Sequence, residues 1–146
     1  MVLRPVGIVA SLDVELLFTN VLVRRTTEVI CDTIYNNNHP LLSHPNSNRN
    51  LLSKLLLACT TQCPFFHNDF HLYQHQEGVA KGSPLGVTFP NFDMRHLEHT
   101  ILDAEPPYKP TTYCRYIDDF LIITNSSDNP VKLKQTFEAT SVLNFT

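Results

Sequence analysis

Eleven residues, Tyr113-Cys114-Arg115-Tyr116-Ile117-Asp118-Asp119-Phe120-Leu121-Ile122-Ile123, constrain this chain more than any other stretch. Two apolar, β-prone runs flank a pair of adjacent acids, the pattern of a hairpin with carboxylates at its tip. Neighbouring like charges repel, and the nearest cation is Arg115, so the pair is tolerated in water or beneath something positive. Asp is a favoured turn residue, which makes a solvated surface turn one reading. A divalent-metal site is the other, because hard cations choose carboxylate oxygens. Taken alone, the stretch favours the turn. The rest of the chain reverses the balance.

A further acid closes a buried-strand pattern at the other end, Val6-Gly7-Ile8-Val9-Ala10-Ser11-Leu12-Asp13-Val14. Leu16 to Asn20 follows, then a helical pattern over about Thr26 to Tyr35, with Val29, Ile30 and Ile34 on one face and Asn36-Asn37-Asn38 as its stop. Residues 39–50 have loop composition. Leu51, Leu52, Leu55, Leu56 and Cys59 make the apolar stripe of a second helix that closes before Pro64. Phe65 to Gln76 reads as a short hairpin turning at Asn68-Asp69, and Gly78 to Gly86 as a Gly-rich loop leading into a helix from about Leu85 to Leu102. After Pro106-Pro107 comes the acidic hairpin. Asp128-Asn129-Pro130 reads as a cap with proline at the first helical position, opening a helix over Val131 to Val142. Leu143-Asn144-Phe145-Thr146 begins a strand, and no internal repeat is visible. This order predicts an α+β fold, a small antiparallel sheet backed by helices.

Composition excludes several classes. An apolar content of 42% with 17% charged residues in 146 residues suits one globular domain. The net charge of −3, beside seven histidines, does not suit a free-standing nucleic-acid binder, though it does not exclude a piece of one. Four scattered cysteines do not make a disulfide framework and point to a reducing compartment. No uncharged apolar run approaches the ~20 residues of a membrane helix. The start from Met1 to Leu12 lacks a convincing cleavage site. An intracellular protein of nucleus or cytoplasm, away from membranes, is expected.

Three motifs stand in order: Ser11-Leu12-Asp13-Val14-Glu15-Leu16-Leu17-Phe18-Thr19-Asn20, Gly78-Val79-Ala80-Lys81-Gly82-Ser83-Pro84-Leu85-Gly86-Val87-Thr88-Phe89, and Tyr113 to Phe120 with Tyr-Ile-Asp-Asp inside it. Together they resemble the palm motifs of reverse transcriptases. With Leu55-Leu56-Leu57-Ala58-Cys59-Thr60-Thr61 and Leu143-Asn144-Phe145-Thr146 they are most similar to Penelope-like retroelements, from about Ile8 onward. The resemblance implies a partial palm of a right-hand polymerase over residues 8–146, after a short extension of residues 1–7, with fingers and thumb largely missing. It implies an RNA-directed DNA polymerase, a nucleotidyltransferase working on an RNA template, a DNA primer and deoxynucleoside triphosphates. Asp13, Asp118 and Asp119 would be the catalytic residues and the ligands of two Mg²⁺ ions ~3.5–4 Å apart. Phe18 would pack against the sugar of the incoming nucleotide; Lys81, Gly82, Ser83 and Pro84 would meet the nucleotide and template. At Gly82 the missing Cβ permits close backbone approach.

The chain departs from that pattern at several places. Leu16 and Leu22 stand where the family has Ser and Pro, Lys81 replaces a usual methionine, Pro90 an alanine and Asp93 an aromatic, and Phe120 follows Asp119 with no apolar residue between. A helix-interior proline costs ~3 kcal/mol or more unless it lies in the first turn. Two other readings stand beside the polymerase. One is a catalytically dead remnant serving at most as an interaction module. The other is a small zinc protein, from Cys59, Cys63, His67, His71 and His75, against which Pro64 interrupts the alignment.

Overall fold

The computed structural model describes residues 7–36, 48–66 and 70–146. They form two compact units, one of the described residues up to Leu17 with Arg95–Thr146, the other of those within Phe18–Met94.

In the first unit, strand β1 (Ile8–Glu15) occupies the run read as a buried strand, but its first residues Ile8 and Val9 are exposed. Its second half alternates: Leu12 and Val14 are buried while Asp13 and Glu15 are exposed, because successive strand residues point to opposite faces. The acidic hairpin forms from β4 (Thr112–Tyr116) and β5 (Asp119–Thr124), joined by the two-residue loop Ile117-Asp118. Phe120, Ile122 and Thr124 of β5 point inward. Helix α5 (Asp128–Thr140) and the short strand β6 (Asn144–Phe145) complete the unit, with the C-terminal part of α4 (Thr88–Leu102). The strands lie in the order β4-β5-β1-β6, each pair antiparallel. One sheet face covers a core in which Phe120, Phe137 and Phe145 pack ring to ring at centroid separations of 6.0, 5.8 and 5.2 Å. Phe120, the residue that crowds directly behind Asp119, is thus part of the core.

The second unit contains α1 (Leu17–Asn20, from Phe18 on), α2 (Val23–Asn36), α3 (Arg49–Ala58), a separate hairpin of β2 (Pro64–Phe66) and β3 (Leu72–Gln74), and the start of α4. Val21, Val23, Ile30, Val79 and Phe89 form its core, with Leu56, Leu57 and Leu85 packed around them. Helix α2 starts at Val23, three residues before the expected Thr26, because the Glu77 carboxylate accepts the Val23 N–H at 3.0 Å and satisfies one of its open donors. Asn48 caps α3, its side chain accepting from the N–H groups of Asn50 and Leu51. The expected stripe of α3 is only partly inward: Leu51, Leu55 and Cys59 are exposed, while Leu52, Leu56 and Leu57 are half-buried. The Asn68-Asp69 turn, Asn37-Asn38, most of the 39–50 loop and the 1–6 end lie outside the described residues.

Two further helix starts differ from expectation. Leu85 accepts the Phe89 N–H at 3.1 Å, yet regular α4 begins only at Thr88. Pro90, with no N–H, cannot bond the Gly86 carbonyl, so the ladder is broken there and Pro90 falls in the first regular turn. Helix α5 begins at Asp128 itself, so Asp128 is a first-turn acid favoured by the helix dipole and Pro130 is the third helical residue.

Candidate active site

Antiparallel pairing places Asp13 of β1 directly opposite Asp119 of β5. Paired residues project to the same side of a sheet, here the exposed face away from the phenylalanine core. Asp118 occupies the second loop position, half-buried, and its carbonyl accepts the Val14 N–H at 3.0 Å. The backbone on the other side of Asp13 is equally fixed: Asp13 N–H donates to Thr146 O, and Thr146 N–H donates to Asp13 O, each at 2.9 Å. The acids expected on neighbouring strands therefore sit on neighbouring strands, held from both edges of β1.

Two strained residues adjoin these acids. Ile117 has φ 58° immediately before Asp118, and Leu16 has φ 52° three residues after Asp13. For a residue with a Cβ this left-handed region costs about 1–2 kcal/mol, and a β-branched side chain there is a rare outlier. Strain of this kind gathers at functional sites, where the surroundings hold it in place.

Arg115 supplies one such restraint. Its Nη1 donates to the Ile117 carbonyl at 2.9 Å, while its Nε and Nη2 donate to the two oxygens of Glu98 on α4 at 2.5 and 3.4 Å. Tyr113 OH donates to the same Glu98 oxygen at 2.7 Å. The Arg115 and Glu98 side chains are only 12% and 15% exposed, a fork-to-carboxylate pair that is well shielded from water. Burial, and then the Glu98 charge, push the Tyr113 hydroxyl pKa far above the ordinary tyrosine value. The sequence showed Arg115 as the cation beside the acids. Glu98 and Tyr113 carried no local signal, because their contact is made across 15 residues of chain.

In the second unit, Lys81 Nζ lies 4.8 Å from the centroid of the Phe18 ring, a cation–π distance. Phe18 also packs against the Val21–Phe89 core, so it is at once a core residue and a flank of Lys81. The loop that carries Lys81 is tied to the Phe18 segment: Gly78 N–H donates to Val21 O and Val79 N–H to Phe18 O. Gly78 has φ 79°, and a Cβ there would come within 2.7 Å of the Thr19 carbonyl, so this glycine is demanded by the fold. Gly82 is the opposite case, since a Cβ added there meets nothing within 4 Å. Ser83 and Pro84 line an apolar cavity of about 310 Å³ with Leu55, Leu56, Cys59 and Leu85. Asp93, where the family has an aromatic, is buried and accepts from Thr26 Oγ1 at 3.1 Å, with Arg25 at 3.8 Å.

Among the described residues, no three His, Cys, Asp or Glu side chains converge closely enough to hold a metal ion. This applies to the three aspartates and to the zinc candidates alike; Cys59, Cys63 and His75 line one cavity without forming a ligand set, and His67 is outside the described residues. Mg²⁺ needs only one or two protein carboxylates, with water and substrate phosphates completing its shell. Asp13 and Asp119, opposed on an exposed face, fit that requirement in donor chemistry and backbone placement. The four cysteines are free thiols. No helix among the described residues is long and apolar enough to cross a membrane.

The chain has an α+β fold found in part of telomerase. It matches the apo telomerase of Candida tropicalis with a TM-score of 0.72 at 13% identity, over 99% of this chain and 28% of that one. A form of the same telomerase truncated from its C-terminal domain matches with a TM-score of 0.65 at 15% identity, over 98% of this chain and 30% of that one. This chain therefore spans less than a third of the length of either telomerase chain. No protein-family model and no curated protein sequence matches it.

Proposed function

We propose that this chain is palm-type polymerase core, belonging to a reverse transcriptase of the Penelope-like kind that its motifs resemble. The pairing of Asp13 with Asp119 beside the strained Ile117-Asp118 loop carries the reading. It is supported by a fold shared with telomerase, itself a reverse transcriptase, over nearly the whole chain. Asp13 and Asp118 are the proposed principal ligands of two Mg²⁺ ions, and Asp119 completes the cluster. When bound, such ions stabilise charge on the attacking 3′-hydroxyl and on the departing pyrophosphate. The protein's part is placement. β1 and the hairpin hold the carboxylates, Phe18 flanks the sugar, and Lys81 offers a cation to the phosphates. Gly82 leaves backbone open to the template–nucleotide pair, consistent with its Cβ position meeting no protein atom. RNA template, DNA primer and deoxynucleoside triphosphates are the proposed partners.

Alignment of reactants supplies much of such a reaction's rate, and a net charge of −3 holds little duplex at physiological salt. The 146-residue chain alone is therefore expected to extend no primer. The test places it between the fingers and thumb of a close relative and measures Mg²⁺-dependent extension of a DNA primer on RNA. Extension that Asp118→Asn abolishes is the expected result. A folded but inactive chimera overturns the catalytic reading and leaves a non-catalytic interaction module. That second reading is favoured by one observation, that the three acid side chains do not themselves converge.

A further inference from the structure

We propose that Arg115, held by Glu98, is a positioning residue that selects which of two hairpin turns carries Asp118. The consequence for chemistry rests on the polymerase reading; the selection itself does not. Two-residue hairpin loops take the primed turns, and these differ in the central peptide. In the I′ form both loop residues have positive φ, whereas in the II′ form only the first does. Here Ile117 is positive and Asp118 is not, the sign pattern of the II′ form. Rotating the peptide between Ile117 and Asp118 converts one form into the other, and its carbonyl belongs to Ile117. That carbonyl is the one Arg115 Nη1 holds at 2.9 Å.

Asp118 would not resist the rotation by itself, since Asp is among the few residues that visit the left-handed region readily. The neighbouring peptide cannot compensate, because the Asp118 carbonyl is already fixed to Val14 N–H. Rotation would change the sign of φ at Asp118 and redirect its carboxylate, leaving Asp119 in register with Asp13 on β5. The guanidinium can act as a stop because Glu98 fixes its other edge and both side chains are largely shielded from water. Lysine cannot replace it, for a single ammonium on a flexible stem lacks the fork that reaches Glu98 and the Ile117 carbonyl together.

The test uses the isotopically labelled 146-residue chain and its Arg115→Lys and Glu98→Gln variants. The intraresidue amide–Hα NOE of Asp118 reads the sign of φ, strengthening sharply when φ turns positive. Arg115→Lys is expected to fold, to strengthen that NOE, and to weaken Mn²⁺ binding about 10–100-fold, the usual effect of losing an outer-shell partner. Glu98→Gln, which keeps the shape of the contact, is expected to move both readouts in the same direction by less. A wild-type NOE in folded Arg115→Lys overturns the inference. So does failure of both variants to fold, which would make the pair structural only. Mn²⁺ binding by the wild-type chain that is indifferent to Asp13→Asn and Asp118→Asn would instead sink the metal reading, and the NOE result would still decide the turn.

Discussion

Leu16 offers the cleanest measure of strain beside the acids, because its side chain is exposed and little packing confuses the result. Asn adopts the left-handed region more easily than Leu, so Leu16→Asn is expected to raise the urea midpoint, by about 1 kcal/mol of stability. A lower midpoint would show that Leu16 makes a contact worth more than its strain. The two loop glycines should separate in the same assay. Gly78→Ala forces a Cβ against the Thr19 carbonyl at positive φ and should strongly destabilise the fold. Gly82→Ala should leave the midpoint unchanged yet weaken nucleotide-dependent extension in the chimera. Tyr113 makes an alkaline prediction. Its pKa is raised in the folded state, so the folded protein keeps a proton that the unfolded chain loses above about pH 10. The stability it contributes is present below that pH and declines as pH rises further, and Tyr113→Phe should remove this part of the decline.

At the level of elements, Glu77 marks the start of α2 and Pro90 that of α4. Glu77 reaches Val23 across 54 residues, and Glu77→Ala is expected to cost about 1 kcal/mol, as loss of a helix cap does. Pro90→Ala should not stabilise the protein, because Pro90 sits in the first regular turn of α4 and is buried there. A clearly higher denaturation midpoint would mean that the broken bond to Gly86 outweighs the buried ring. These cases show what could be read beforehand. The existence of β1 and β5, the hairpin at Asp118-Asp119 and the existence of α2 to α5 follow from local patterns and were legible, whereas the apolar run of β1 did not reveal that Ile8 and Val9 would be exposed. Where α2 begins, how Asp93 is accommodated through Thr26 at a separation of 67 residues, and what clamps Arg115 depend on partners remote in sequence. Local periodicity has no access to them. It also misjudged α3, whose leucines cover nearly its whole circumference, so the pattern could not say that Leu55 would face out and Leu57 in.

For the molecule as a whole, the acid-bearing face depends on the aromatic layer beneath it. Phe120 lies one residue from Asp119 and touches both Phe137 and Phe145. Phe120→Ala should cost about 3–5 kcal/mol, a typical core truncation, and near-ultraviolet circular dichroism and denaturation would show it. A small change would mean that the layer repacks and that the acids do not rely on it. The bonds between Asp13 and Thr146 have a different kind of consequence. Inner strand β1 is remote in sequence from both of its neighbours, since Asp13 pairs with Asp119 of β5 and Val14 with Phe145 of β6. Closing those ladders requires contacts between segments far apart in sequence, the situation in which folding is slow. On a ribosome, β1 would wait with its edges unpaired until β5 and β6 emerged. In this topology the acidic face cannot assemble until the strands that flank β1 have been made.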